Sequence, residues 1–114
     1  MQKNVIAVEE ALKRVVNNKK LFHRLLSNFS GRKMVEDIEK ALQAGDSEEA
    51  ARACHALRGL AANLSMQPLA DITSRLEECI KSGEASEVLL IELNGNLDAV
   101  EEAIEEILSD TIST

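Results

Sequence analysis

Apolar residues recur at steps of three and four along most of the chain, the spacing that gathers them on one face of an α-helix. Val5, Val8, Leu12 and Val15 or Val16 form the first stripe, and Asn17-Asn18 punctuates it. A second run, Leu21, Phe22, Leu25, Leu26 and Phe29, meets a break or a kink at Ser30-Gly31. The pattern resumes with Met34 or Val35, Ile38, Ala41 and Leu42 and stops at Gly45. Asp46-Ser47-Glu48-Glu49 is a helix start, because an Asp cap with an acid three residues later satisfies orphan amides and complements the helix dipole. The helix it opens carries Cys54, Leu57, Ala61 and Leu64 on its apolar side and ends near Ser65. Pro68 belongs in the first turn of the next helix, where its missing amide proton does no harm. Leu69, Ile72, Leu76 and Cys79 or Ile80 form the buried face of that helix, and Gly83 closes it. The last pattern, from about Ser86 to Leu108, aligns Leu89, Leu93, Leu97, Val100, Ile104 and Ile107 or Leu108. Asn94-Gly95-Asn96 resembles a turn, yet the register survives from Leu93 to Val100, so one helix, straight or bent there, is predicted.

Amphipathic helices joined by loops of a few residues predict an all-α protein, an antiparallel four-helix bundle with a short N-terminal helix packed on one end. Composition agrees. Aromatics are only 2% of the chain while hydrophobic residues are 45%, so the core must be built from Leu, Ile, Val, Ala and Met, a mixture that favours packed helices over sheet. With 114 residues, the whole span 1–114 reads as one domain, too small to hold an ATP-binding module as well. The formal charge of −7 argues against a phosphate-backbone surface, and nucleic acid is not expected as a partner. Neither a membrane-spanning stretch nor a signal-peptide pattern is present, so membrane insertion is not expected and a cytoplasmic location is. Cys54 and Cys79 each fall on an apolar stripe and read as reduced core residues.

Against that background one residue stands out. In the run Cys54-His55-Ala56-Leu57-Arg58-Gly59-Leu60-Ala61-Ala62, helical geometry turns His55 away from the apolar seam, together with Glu48, Ala51, Arg52, Gly59 and Ala62. Glycine inside a helix costs about 1 kcal/mol relative to alanine, so Gly59 asks for a compensating reason. Helical side chains lean toward the N-terminus, and the residue at i+4 is the one that would lie over the imidazole. Here it has no side chain. Ala51 and Ala62 keep the same strip low, so a partner surface can approach the ring, and Arg58 at i+3 can hold an anion attached to it. In a hairpin turning near Met66, Glu77, with Ser74 and Glu78 beside it, falls level with His55. A carboxylate there orients one imidazole nitrogen and leaves the other as nucleophile, although solvated surface is the plainer assignment for Glu77.

The segment His55-Ala56-Leu57-Arg58-Gly59-Leu60-Ala61 resembles the phosphoacceptor motif of histidine-containing phosphotransfer (HPt) domains: His, any residue, an aliphatic, Lys or Arg, Gly, any residue, a small residue. Ala44-Gly45-Asp46 upstream and Leu69, Ile72 and Leu76-Glu77 downstream are also similar to that family, over about Val8 to Leu108. Two departures are Arg58, where lysine is commoner, and Ser65, where the family usually has glycine; the latter is expected only to alter how the helix ends. The resemblance implies a phosphorelay carrier rather than an enzyme. His55 would take a phosphoryl group from the aspartate of one response regulator receiver domain and pass it to another, with a hybrid sensor histidine kinase upstream. It also implies that Arg58 balances phosphoryl charge, that Ala51, Arg52, Gly59 and Ala62 form the docking strip, and that Glu77 supports the ring. No cofactor or metal is expected on this chain. The magnesium ion such a transfer needs is expected with the receiver.

Other readings compete. A Cys54–His55 nucleophile and base pair fails, because adjacent helical residues point about 100° apart, and no second metal ligand stands at i+3 or i+4 from His55. The phosphoacceptor hairpin of a histidine kinase also carries a histidine followed by an aliphatic and an arginine. There the next residue is usually acidic and a proline follows, whereas Ala56 and Leu60 stand in those places. A non-catalytic adaptor or dimerisation bundle is the rival from a different class. His23, between Phe22 and Arg24 and without a glycine or small strip beside it, is assigned no chemistry.

Overall fold

The computed structural model describes residues 5–113, and all its described secondary structure is helical. Helices α1 (Val8–Arg14), α2 (Lys19–Ser27), α3 (Gly31–Gln43), α4 (Ser47–Asn63), α5 (Gln67–Ser82) and α6 (Glu87–Ser113) follow one another through short turns. Helix α3 packs on α4, α4 on α5 and α5 on α6, and α6 returns to touch both α2 and α3. Phe22, Leu26, Ile38, Leu57, Met66, Leu69, Leu76, Leu93 and Leu97 fill the core between them. The apolar stripes are the faces turned inward; of the paired alternatives Val35 and Ile80 are buried, while Ile107 and Leu108 are both partly buried.

The N-terminal stripe is less helical than its spacing predicts. Val5 and Ile6 are buried but precede α1, and the helix stops at Arg14. Val16, offered as an alternative to Val15 on that stripe, instead stands in solvent with φ 54°, a left-handed backbone that a β-branched residue rarely takes. Next, the interruption at Ser30-Gly31 is a full break. Phe29 folds back over the start of α3, where a Cβ on Gly31 would come within 2.3 Å of its ring. Thus α2 and α3 are separate helices.

The Asn94-Gly95-Asn96 segment is continuous helix within α6. The side chain of Asn94 does not serve a turn: its amide donates to the Leu90 carbonyl at 2.9 Å and to Glu39 at 3.2 Å. Its carbonyl accepts from Arg32, whose guanidinium also reaches Asp98 at 2.6 Å and spans the Glu101 carboxylate at 2.6 and 3.2 Å. One arginine of α3 thereby grips about two turns of α6.

Helix α4 ends on Ser65, which takes φ 58° while Ser65 N–H donates to the Ala62 carbonyl and Met66 N–H to the Ala61 carbonyl. That position ordinarily suits glycine. The serine does more than alter the helix end. It is 3% exposed, its hydroxyl donates to Glu10 at 2.9 Å and accepts from Arg14 at 3.3 Å, and its carbonyl accepts from Ala7 N–H. Through these bonds α1 is fastened to the turn between α4 and α5, at one end of the bundle.

Both cysteines are free thiols, and the second corrects an expectation. Cys54 is fully buried. Cys79 is only half-buried, because α5 reaches its last turn there, and its thiol donates to the carbonyls of Ala85 and Glu84 at 3.1 and 3.5 Å. It belongs to the rim and not to the core.

Candidate functional site

The site is built on the middle of α4. Asp46 caps this helix, its carboxylate accepting from Glu49 N–H at 3.1 Å, and Glu48 and Glu49 in the first turn suit the positive end of the helix dipole. Cys54, Leu57 and Ala61 then anchor its inner face without measurable exposure. That anchoring sets the rotation of α4. His55 points outward, with 65% of its side chain in solvent, and Arg52, Gly59 and Ala62 are exposed on the same side.

Two charged groups reach the imidazole, one from each of two helices, and a third backs the second. The Arg58 Nη2 lies 3.0 Å from Nδ1 of His55, a hydrogen bond across one turn of α4. From α5, Glu77 brings Oε2 to 3.7 Å from the same nitrogen, too long for a hydrogen bond but close enough for a charge to act. Glu77 is only 7% exposed, and Lys81, one turn further along α5, pairs with its Oε2 at 3.0 Å. A carboxylate this sheltered stays tolerable only with such partners. The level placement of Glu77 expected from the hairpin therefore holds, and its assignment as plain solvated surface does not. Ser74 and Glu78 make neither a hydrogen bond nor an ion pair with the ring, and Glu78 is exposed.

Ala51 is the one strip residue the structure moves. It is 9% exposed and lies in a shallow groove between α4 and α5, lined also by Ser47, Glu48, Ile80 and Lys81. At four residues before His55 it sits roughly 40° around the helix from it, and α5 closes over that side. Arg52 is exposed but already paired with Glu49. Gly59 behaves as its spacing predicts. A Cβ built on it meets nothing within 4 Å, so no packing inside the chain accounts for the missing side chain.

Sequence reasoning missed two features of the surface. Lys81 gains meaning only once Glu77 is known to be sheltered, although its i+4 spacing from Glu77 was a readable signal. A second groove runs between α3 and α4 on the other flank of the histidine, with Met34, Ala44, Ala53 and Ala56 along it and Lys40, Asp46 and Arg52 among its charged members. Alanines facing α3 were its trace in the sequence.

Beneath the site, burial and the nearby Glu77 charge push the Cys54 thiol up to about 12 from its ordinary value of 9.0. The folded thiol keeps its proton where the unfolded one gives it up. Stability is therefore complete below pH 9 and falls as pH rises toward 12, by about 1 kcal/mol per pH unit once the unfolded thiol is ionised. Urea titrations between pH 8 and 11 are expected to show this slope, and Cys54→Ala should flatten it. Among the described residues, no group of three or more His, Cys, Asp or Glu is arranged to hold a metal ion, and no helix is long and apolar enough to cross a membrane.

The fold and site together define a helical bundle that presents an accessible imidazole, one nitrogen of which is addressed by an arginine and a sheltered carboxylate. The family model of the Hpt domain matches residues 29–110, and the chain belongs to that family. No curated protein and no solved structure matches the chain. Hpt domains are phosphocarriers of two-component phosphorelays, working through histidine phosphotransfer with response regulator receiver domains and kinases, and are not enzymes of the classical kind.

Proposed function

We propose that this chain accepts a phosphoryl group on His55 from the aspartate of one receiver domain and passes it to the aspartate of another, with a hybrid sensor histidine kinase feeding the relay. The single observation that carries this reading is the outward imidazole of His55 with Nδ1 alone engaged by Arg58 and Glu77, beside a Gly59 whose missing side chain nothing in the chain requires. In the acceptor step the lone pair of Nε2 forms a bond to phosphorus, and the P–O bond to the partner's aspartate breaks with its electron pair returning to the carboxylate. In the tautomer that reacts, the ring proton is on Nδ1, where Glu77 supports it. Arg58 balances the phosphoryl oxygens, and Arg52, Gly59 and Ala62 form the docking strip, with Ala51 beneath its edge. The frame we infer is an antiparallel four-helix core of α3 to α6, in one domain, acting in the cytoplasm. Magnesium is expected to arrive with the receiver, and this chain is expected to bind no cofactor of its own.

The test is to incubate the protein with a panel of phosphorylated receiver domains and magnesium, and separately with phosphoramidate, and to follow intact mass. A gain of one phosphoryl group, lost in acid and kept in alkali, is the expected result. No gain from any receiver or from phosphoramidate would overturn the reading in favour of an adaptor bundle.

A further inference from the structure

Nδ1 of His55 is contested by two groups with opposite demands. Arginine has five donors and no acceptor, so the 3.0 Å contact from Arg58 requires Nδ1 to be the accepting nitrogen. A neutral ring in that contact carries its proton on Nε2. Glu77, 3.7 Å from the same Nδ1, can only accept, and it favours the other tautomer, with the proton on Nδ1. The two arrangements exclude each other. Nδ1 lies toward the groove and its charged walls, which leaves Nε2 as the nitrogen open to an incoming group; while Arg58 holds Nδ1, that open nitrogen is protonated and has no lone pair to attack with.

We infer that Arg58 is a tautomer gate that keeps His55 unreactive until an anion arrives. The inference rests on the phosphoacceptor reading above and deepens it. A phosphoryl group approaching the ring draws the guanidinium off Nδ1, since a charged pair with phosphoryl oxygens is stronger than a bond to a neutral imidazole. The ring then gives its Nε2 proton to water and takes one from water on Nδ1, with no net change in protons. A modest rotation of the ring about its soft terminal torsion brings Nδ1–H within reach of Glu77. Lys81, 3.0 Å from Glu77, holds that carboxylate in place throughout. Arg58 thus positions the proton before transfer, in addition to facing the phosphoryl group during it.

The measurement is the ¹⁵N spectrum of the histidine ring nitrogens in the intact, uniformly labelled protein, at a pH where His55 is neutral. In the parent protein the Nε2–H tautomer of His55 should dominate. In Arg58→Ala the Nδ1–H share should rise roughly fivefold, the scale of one ordinary solvent-exposed hydrogen bond lost from the competing side. In Arg58→Ala combined with Glu77→Gln, which folds around a nearly isosteric side chain, much of that rise should disappear. An unchanged tautomer ratio in Arg58→Ala would overturn the gate, as would a rise that survives the removal of the Glu77 charge. No phosphoryl donor is present in the sample, so failure of the gate and failure of the relay reading are read from separate experiments.

Discussion

His55→Gln is expected to abolish phosphoryl acceptance from every receiver and from phosphoramidate while leaving the bundle folded. The two halves of this expectation have different physical origins. Chemistry is lost completely because glutamine offers an amide, whose nitrogen lone pair is delocalised into the carbonyl and does not attack an acyl phosphate. Folding is kept because the side chain is mostly in solvent and contributes little to the core, so stability should change by no more than about 0.5 kcal/mol. Intact mass after incubation reads the first half, and thermal unfolding followed by circular dichroism reads the second. A phosphorylated His55→Gln protein would remove His55 from the site, with His23 the next residue to test.

Gly59→Leu is expected to leave stability equal or slightly higher and to cut transfer from receivers by about 100-fold or more. Leucine is the better helix former by close to 1 kcal/mol, and nothing stands within 4 Å of its first carbon. Its side chain leans back along α4 over the imidazole and the ground on which a receiver would rest. A displacement of the reacting groups by as little as an ångström costs on the order of 100-fold in rate. Phosphoramidate has no surface to dock and should lose far less. Gly95→Leu provides the matched control, since Gly95 is also an open mid-helix glycine but lies on α6. It should bring the same stability and undiminished transfer. Equal rates in the two leucine variants would sink the docking account of Gly59.

Much of this was legible in the chain because it depends on a single helix. His55, Arg58, Gly59 and Ala62 share α4, and a period of 3.6 residues is enough to put them on one side of it. Helix boundaries set by local chemistry were equally readable: Asp46 as a cap, Pro68 in a first turn, Gly83 as a stop. What escaped belongs to relations between helices. Ala51 carries the same period as His55, but whether it is covered depends on where α5 crosses α4. The same crossing shelters Glu77 and turns Lys81 from a surface charge into its counter-ion. The helix through Asn94-Gly95-Asn96 was readable from its register, but the grip of Arg32 on it, sixty-odd residues away in sequence, was not. The end of α1 failed for a different reason: Val15-Val16 continues an apolar pattern that the backbone abandons before the Asn17-Asn18 signal is reached.

The buried serine at the end of α4 bears on how the protein can be cut. Residues 29–110 carry the family match, and they would be a natural choice for an excised fragment. Ser65, however, spends its hydroxyl and its carbonyl on Glu10, Arg14 and Ala7, and Val5, Ile6, Ala11, Phe22 and Leu26 are all buried in the same core. Trimming at residue 29 would strip a left-handed, non-glycine backbone of the bonds that stabilise it and open apolar surface beneath. The smallest piece that stands by itself therefore begins before the portion by which its relatives are recognised.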